Sequence, residues 1–504
     1  MLSLETLRRD AKRLRRAHLA EDPGAQQRLA QHPPQKPAPY SHADYLHVVA
    51  QENGFGSWPR LKLAADTIGL DRAARQQRLK IALAQGQNWV VEHLLAATPD
   101  LAAGVLGLEI ALYDVAAVEA ALQADPAAAT RMLGPKSPMC HLAFSKWCHA
   151  RPDLQGNMLA IADMLLAHGA DVNDSMALAG SDHRLSALYG AIGHANNMAL
   201  GKWLLEQGAN PDDGESLYHA TELGHHDGLK MLLEHGANPR GTNALYRAMD
   251  FHDVAAVRML LEHGAKVEDY NGGDVGGEAP WVIPALFQAA RRNNGAAMIT
   301  LLLDHGANRE GRYHGASAYA CARIYGNSAL AAALAARGAD TTLSEIEAHL
   351  ARAAENEAVP GALRGVEIPR PFDNLIREIL HLPGRMEHVQ ALVDLGIDPD
   401  KPDREGLTPV QISGWEGLPE MMTYLLSLDP DLHHINKYGG TLVSTILHGA
   451  ENCPERDHRD HGACLTMALA AGALLTRNEM GFSGRADLVE IMADWAGSHP
   501  DQVA

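Results

Sequence analysis

The stretch Leu232-Leu-Glu-His-Gly-Ala-Asn238 decides how the rest of the 504-residue chain is read. Its two leucines continue an apolar stripe, its glycine supplies the left-handed residue that closes a last helical turn, and its histidine can bond the exposed carbonyls of that turn. It is a helix-ending signal. The same phrase stands at Leu165 to Asp171, Leu204 to Asn210 (with Gln207 for the histidine), Leu260 to Lys266 and Leu302 to Asn308. Weaker copies end at Asp340, Asp398 and Leu474. A stop signal used this often means stacked helical units, each covering its neighbour.

Upstream of each stop, a second phrase opens a first helix: Ser186-Ala-Leu-Tyr189, Glu215-Ser-Leu-Tyr218, Asn243-Ala-Leu-Tyr246, Pro284-Ala-Leu-Phe287 and Thr408-Pro-Val-Gln411. A short turn at Gly193-His194, Gly224-His225, Phe251-His252 or Gly326-Asn327 then leads into the second helix. This pattern resembles the ankyrin repeat family, whose unit of 33 residues carries Thr-Pro-Leu-His-x-Ala and ends in Leu-Leu and Gly-Ala-Asp/Asn. About eleven units begin near 73, 102, 138, 184, 214, 241, 282, 314, 371, 406 and 440, so the resemblance covers roughly 73 to 475. It implies an all-α ankyrin-repeat solenoid with helical caps and, in general, protein binding with no catalytic residues.

The chain departs from the family pattern in two ways. Thr-Pro survives only at Thr408-Pro409, and the family's His position holds Tyr189, Tyr218, Tyr246 or Phe287, rings expected to fill core space between helices. The helix-ending glycines at 169, 208, 236, 264, 306 and 338 are separated by 39, 28, 28, 42 and 32 residues. Paired helices must keep their length to stack, so the variation belongs in connectors, which also carry binding groups. One long connector, 266 to 283, holds a Gly-rich tip and Trp281; a second, 341 to 371, breaks the array; a third runs from 451 to 464. Tyr270, Asp274, Trp281, Tyr313, His225 and His226 are the candidate binding residues.

Residues 4 to 18 form a basic amphipathic helix with Leu4, Leu7, Ala11 and Leu14 on one face, expected to pair with acidic groups of its own chain. Gly54-Phe-Gly-Ser-Trp-Pro-Arg-Leu-Lys62 resembles the leader ahead of ankyrin arrays in many bacterial proteins, with Phe55 and Trp58 expected to cover the first repeat. At the other end, 485 to 496 is expected to close the array with Leu488, Ile491, Met492 and Trp495 inward. The expected organisation is a leader (1–70), a first stack (71–340), a break (341–370), a second stack (371–475) and a closing helix with tail (476–504).

Composition narrows the function classes. With 43 Lys+Arg against 62 Asp+Glu the net charge is −19, which opposes nucleic acid and anionic membrane surfaces. Five cysteines are too few and odd for a disulfide framework, no apolar run reaches the roughly 18 residues of a membrane span, and the N-terminus lacks a secretory core, so a cytoplasmic monomer is expected. Among the 27 histidines the sharpest cluster is Cys453, His458, His461 and Cys464, the residue types of a tetrahedral zinc site. Their separations do not match the usual zinc pairs, however, and a solvated insertion is the simpler reading. No phosphate-binding loop, nucleophile elbow or His-Glu-x-x-His is present, and no cofactor is expected. The leading reading is a non-enzymatic scaffold that holds a protein with a basic surface through its concave face and long connectors. The alternative is an enzyme or a small-molecule or metal-binding protein, with its site at the array break or in the loop 451–464.

Overall fold

The computed structural model describes residues 4–34, 38, 40, 42–178, 183–268, 282–453, 455–477, 479, 483 and 485–504. The chain forms two compact units, one of Leu63–Asn308 and one that joins Met1–Lys62 to Arg309–Ala504. The division falls after Asn308, whereas the sequence pattern placed a break at 341–370.

Within Leu63–Asn308 the chain is a succession of helix pairs, among them Arg72–Gln85 with Asn88–Ala97, Ser216–Ala220 with Asp227–Glu234, Ala244–Asp250 with Val254–Glu262, and Ala285–Arg291 with Ala296–Asp304. Their ends follow from the phrases that mark them. Gly169, Gly236 and Gly264 have φ of 91°, 87° and 98°, a region where a side chain is strained, so glycine is required there. The next residue then bonds back: Ala237 N donates to the Leu232 carbonyl at 3.0 Å. The histidine before each glycine does as its position suggests, with His168, His235, His263 and His305 Nδ1 donating to the carbonyl four residues earlier at 2.7, 2.8, 2.8 and 2.9 Å. Second helices start on Asx caps: Asn197 Oδ1 accepts from Leu200 N and Asp253 Oδ1 from Ala256 N.

The repeat-position aromatics are core. Tyr218, Tyr246 and Phe287 are buried, and Tyr189 is half-buried against His219 with ring centroids 4.9 Å apart. Connectors are tied in a ladder in which one repeat's side chain accepts the next repeat's backbone N–H. Asn173 Oδ1 holds Asn210 N, Asp212 Oδ1 holds Asn238 N (both 2.7 Å), and Glu268 Oε1 holds Asn308 N (3.0 Å). A short antiparallel hairpin, Ser175–Ala177 with Arg184–Ser186, forms one connector, Ser175 opposite Ser186.

In the other unit, Arg309–Ala504 continues the pairs, including Ala318–Ile324 with Ser328–Ala336, Pro409–Trp415 with Pro419–Leu426 and Leu442–Asn452 with His461–Ala470. The expected break contains a helix, Glu345–Ala354, opened by a capping box in which Ser344 and Glu347 exchange bonds; it packs against both Ala318–Ile324 and Met386–Leu395. A two-stranded hairpin, Arg312–Tyr313 with Ala316–Ser317, precedes it.

The leader folds onto the same unit. Leu7, Ala11 and Leu14 of the basic helix Leu4–Leu19 are buried with Tyr45, Val49 and Leu61. Phe55 and Trp58, expected to cover the first repeat, belong to this leader core instead. The basic face pairs with its own chain, and part of its partner is the closing helix Ala486–Ser498: Lys12 Nζ lies 3.1 Å from Asp494 Oδ1 and Arg15 NH1 3.5 Å from Glu490 Oε1. That helix turns Leu488 and Met492 fully inward, while Ile491 and Trp495 are half-buried and Trp495 stacks on His499. Among the described residues no helix is long and apolar enough to cross a membrane, and all five cysteines are free.

Candidate partner-binding face

Three successive first helices in Leu63–Asn308 carry a connected row of charged side chains. Glu215, just before Ser216–Ala220, is buried and receives His183 on one oxygen and His219 Nε2 on the other, the latter at 3.0 Å. His219 Nδ1 reaches Glu222 Oε2 at 2.8 Å, and Glu222 Oε1 accepts from Arg247 Nε of the next repeat at 2.7 Å. Arg247 faces Asp250 at 3.5 Å; Asp250 Oδ1 then accepts from Gln288 Nε2 (2.6 Å) and Arg292 Nε (2.7 Å) of the repeat after that. Each of the two steps from repeat to repeat, Glu222 to Arg247 and Asp250 to Arg292, therefore includes an ion pair.

This environment sets the charges. Burial opposes a positive His219, but its bonds to Glu215 and Glu222 outweigh burial and raise its pKa to about 9. Burial likewise opposes the Glu222 carboxylate, and His219 and Arg247 overcome it, so that its pKa is lowered. A histidinium between two carboxylates is thus fixed into the face at neutral pH. By contrast, His194 is carried down to about 4 by burial, with Lys146 adding to the effect, while its Nε2 donates to the Ala84 carbonyl at 2.8 Å.

The residues singled out from the sequence are placed as follows. His225 Nε2 donates to Asn196 Oδ1 of the preceding repeat at 2.8 Å, and His226 Nε2 lies 2.7 Å from Asp253 Oδ2 of the following one. Of the turn histidines, His194 bonds a backbone carbonyl, His225 Nδ1 accepts from Asp227 N at 3.3 Å while its Nε2 reaches Asn196, and His252 Nδ1 accepts from Asn294 Nδ2. Tyr313 sits in the Arg312–Tyr313 strand with its ring 4.4 Å from that of His314. Tyr270, Asp274 and Trp281 lie outside the described residues.

The four candidate metal ligands do not converge. Cys453 Sγ is directed to Glu416 Oε2 at 3.7 Å, His461 Nε2 donates to the Trp415 carbonyl at 2.9 Å, His458 is exposed, and Cys464 is buried in its helix. Burial pushes the two thiols up to about 11 and about 12. Among the described residues no group of three or more His, Cys, Asp or Glu side chains could hold a metal ion.

Sequence reasoning missed the charged row, although a signal was present. His219 and Arg247, like Glu222 and Asp250, are 28 positions apart, the same step as the helix-ending glycines, and so occupy equivalent places in adjacent repeats.

Residues 188–271 match the family described as Ankyrin repeats (3 copies), and this segment contains most of the charged row. Among solved structures, the human ASB11 ankyrin repeat domain is similar at 24% identity and a TM-score of 0.34, over 47% of this chain and 99% of that one. No curated protein matches the chain. Residues 188–271 carry ankyrin repeats, and the described residues fold as all-α stacked helix pairs.

Proposed function

We propose that the chain is a non-enzymatic scaffold that holds a partner protein on the first-helix and connector face of its ankyrin repeats. The observation that carries this is the ankyrin match over 188–271, since such repeats are in general protein-interaction modules. The net charge of −19 and the exposed acidic connectors, Asp171 and Asp212 among them, favour a partner with a basic surface, because complementary charge speeds encounter and selects partners. Five free thiols suit a reducing compartment, and we place the protein in the cytoplasm as a monomer.

The connector 266 to 283, with Tyr270, Asp274 and Trp281, forms part of this surface. The test is affinity capture from the native cells with the full chain, beside a variant lacking 270–278 and carrying Trp281→Ala. The expected result is a stoichiometric partner held by the full chain and lost from the variant; undiminished capture by the variant removes the connector from the surface.

A further inference from the structure

The repeat that begins near 138 carries a cationic cluster in a chain of net charge −19. Lys136 and Lys146 are half-buried on either side of its first helix, Pro138–Ala143. The packing around them is tight. Phe144 closes on the next repeat so closely that a Cβ on Gly190 would lie 2.6 Å from its ring. The Lys136 ammonium stands 4.7 Å from the centroid of that ring, and the His194 ring packs on it with centroids 5.3 Å apart. Lys146 lays its methylenes along Gly86, the left-handed cap of Arg72–Gln85, where a Cβ would meet Lys146 Cδ at 3.1 Å. Lys80, on the same helix as that cap, acts on His141 together with Lys136.

These cations lack a counter-charge. Among the described residues no carboxylate forms an ion pair with Lys80, Lys136 or Lys146, although the chain holds 62 Asp and Glu. Asp174, which acts on the Cys140 thiol beside Lys136, bonds to neither half-buried lysine. The surroundings offer neutral carbonyls, and histidines occupy them: His194 Nε2 bonds the Ala84 carbonyl at 2.8 Å, His141 Nε2 that of Leu133 at 3.0 Å and His149 Nε2 that of Ala195 at 2.6 Å. Burial lowers the pKa of both lysines, and it lowers those of His141 and His194 with the ammonium groups adding to the effect. A half-buried ammonium without a partner costs folding free energy, and an anion from outside the chain would remove that cost.

We infer that Lys80, Lys136 and Lys146 hold an acidic segment of a partner protein, its carboxylates supplying the counter-charge that the chain lacks here. The cations come from two repeats, on Arg72–Gln85 and around Pro138–Ala143, rather than from one loop. That arrangement suits several carboxylates along an extended segment better than a single phosphate. A nucleic acid longer than the cluster would run onto the acidic remainder of the chain and be repelled. The inference rests on the reading of this unit as a protein-binding surface and adds a sign to it: beside the basic surface that the acidic connectors favour, the partner carries an acidic stretch. A partner of uniformly positive surface would meet like charge here, and such a repulsive element sharpens the choice of partner.

The test is fluorescence anisotropy of the full chain at physiological salt with a fluorescein-labelled Glu-Ala-Glu-Ala-Glu peptide, its glutamine counterpart, and polythymidylate as competitor. The glutamate peptide is expected to bind about tenfold or more tighter than the glutamine peptide, the scale of a charge-assisted hydrogen bond, and polythymidylate is expected not to displace it. Lys136→Met and Lys146→Met are each expected to weaken it about fivefold with the melting midpoint unchanged or higher, because each removes an unpaired half-buried charge. Lys230→Met, at an exposed position of Asp227–Glu234, is expected to leave binding unchanged. No binding, equal binding of the glutamine peptide, displacement by polythymidylate, affinity untouched by both cluster substitutions, or a midpoint lowered by both each overturns the inference. A null titration leaves partner capture through the connectors standing, and failed capture leaves the titration standing.

Discussion

Equivalent positions on the first helices are filled in opposite ways in the two units. In Leu63–Asn308, the places of His219 and Glu222 in one repeat and Arg247 and Asp250 in the next are charged, and the charges pair across the stack. Aligning Glu215 with Thr408 and Thr441, the corresponding places in the later repeats hold Ile412 and Trp415, then Thr445 and His448. There the helices approach through Gly414 and Gly449, and a cavity takes the space that ion pairs fill elsewhere. One architecture thus presents a self-neutralised polar face in one unit and a cavity walled in part by Trp415 and Tyr438 in the other.

The comparison breaks most sharply at Glu215. Glu215→Leu leaves the protonated His219 with Glu222 alone and takes a carboxylate from His183, so the loss of two charge-assisted hydrogen bonds is expected to cost about 3–5 kcal/mol. Hydrogen–deuterium exchange should rise across 187–262 and stay unchanged at 409–470; a uniform rise contradicts a local network.

Next in size is the pH response. Because the folded pKa of His219 is raised to about 9 from 6.5, its contribution is fully present below about pH 6.5 and is lost as pH climbs through about 9. The loss amounts to at most about 3 kcal/mol. Urea denaturation between pH 6 and pH 10 should show that decline, and His219→Gln should flatten it; identical profiles for the two proteins contradict the assigned charge.

Gly449→Ala probes the other unit. Its Cβ would meet backbone at 2.1 Å, so the two helices must separate, at a cost of about 1–3 kcal/mol. Exchange should then rise at 409–452 alone. Gly449→Ala with wild-type protection there shows that the helices are not in backbone contact. Smallest is Asp212→Ala, which removes one rung of the connector ladder and leaves Asn238 N to water; about 1 kcal/mol is expected in the denaturation midpoint.

What could be read from the sequence was local. A left-handed glycine, the histidine before it and the Asx cap three residues ahead of a bonded N–H each act within one turn, so Gly236, His235 and Asp253 declare themselves. The aromatic positions were legible as core because a ring recurs at the same place in four successive repeats, as buried Tyr218 and Tyr246 do. Contacts set by distant chain segments were not. Lys12 meets Asp494 across 482 residues, and nothing near either one announces the other. The helix Glu345–Ala354 shows in the amphipathic spacing of Leu343, Ile346 and Leu350, but no stop phrase follows it, so its stretch read as a break in the array. At the candidate site, the 28-residue step contained the charged row, but the pairing Glu222–Arg247 depends on how repeats stack. The cavity depends on Gly449 meeting Trp415, residues that belong to different repeats.

The most direct measurement is crosslinking mass spectrometry of the full chain captured with its partner from native cells. The account predicts one stoichiometric protein whose lysine-rich surface crosslinks to acidic residues of the connectors and first helices within 184–295. Capture of no protein above a control chain, or crosslinks confined to the leader and the closing helix, contradicts it.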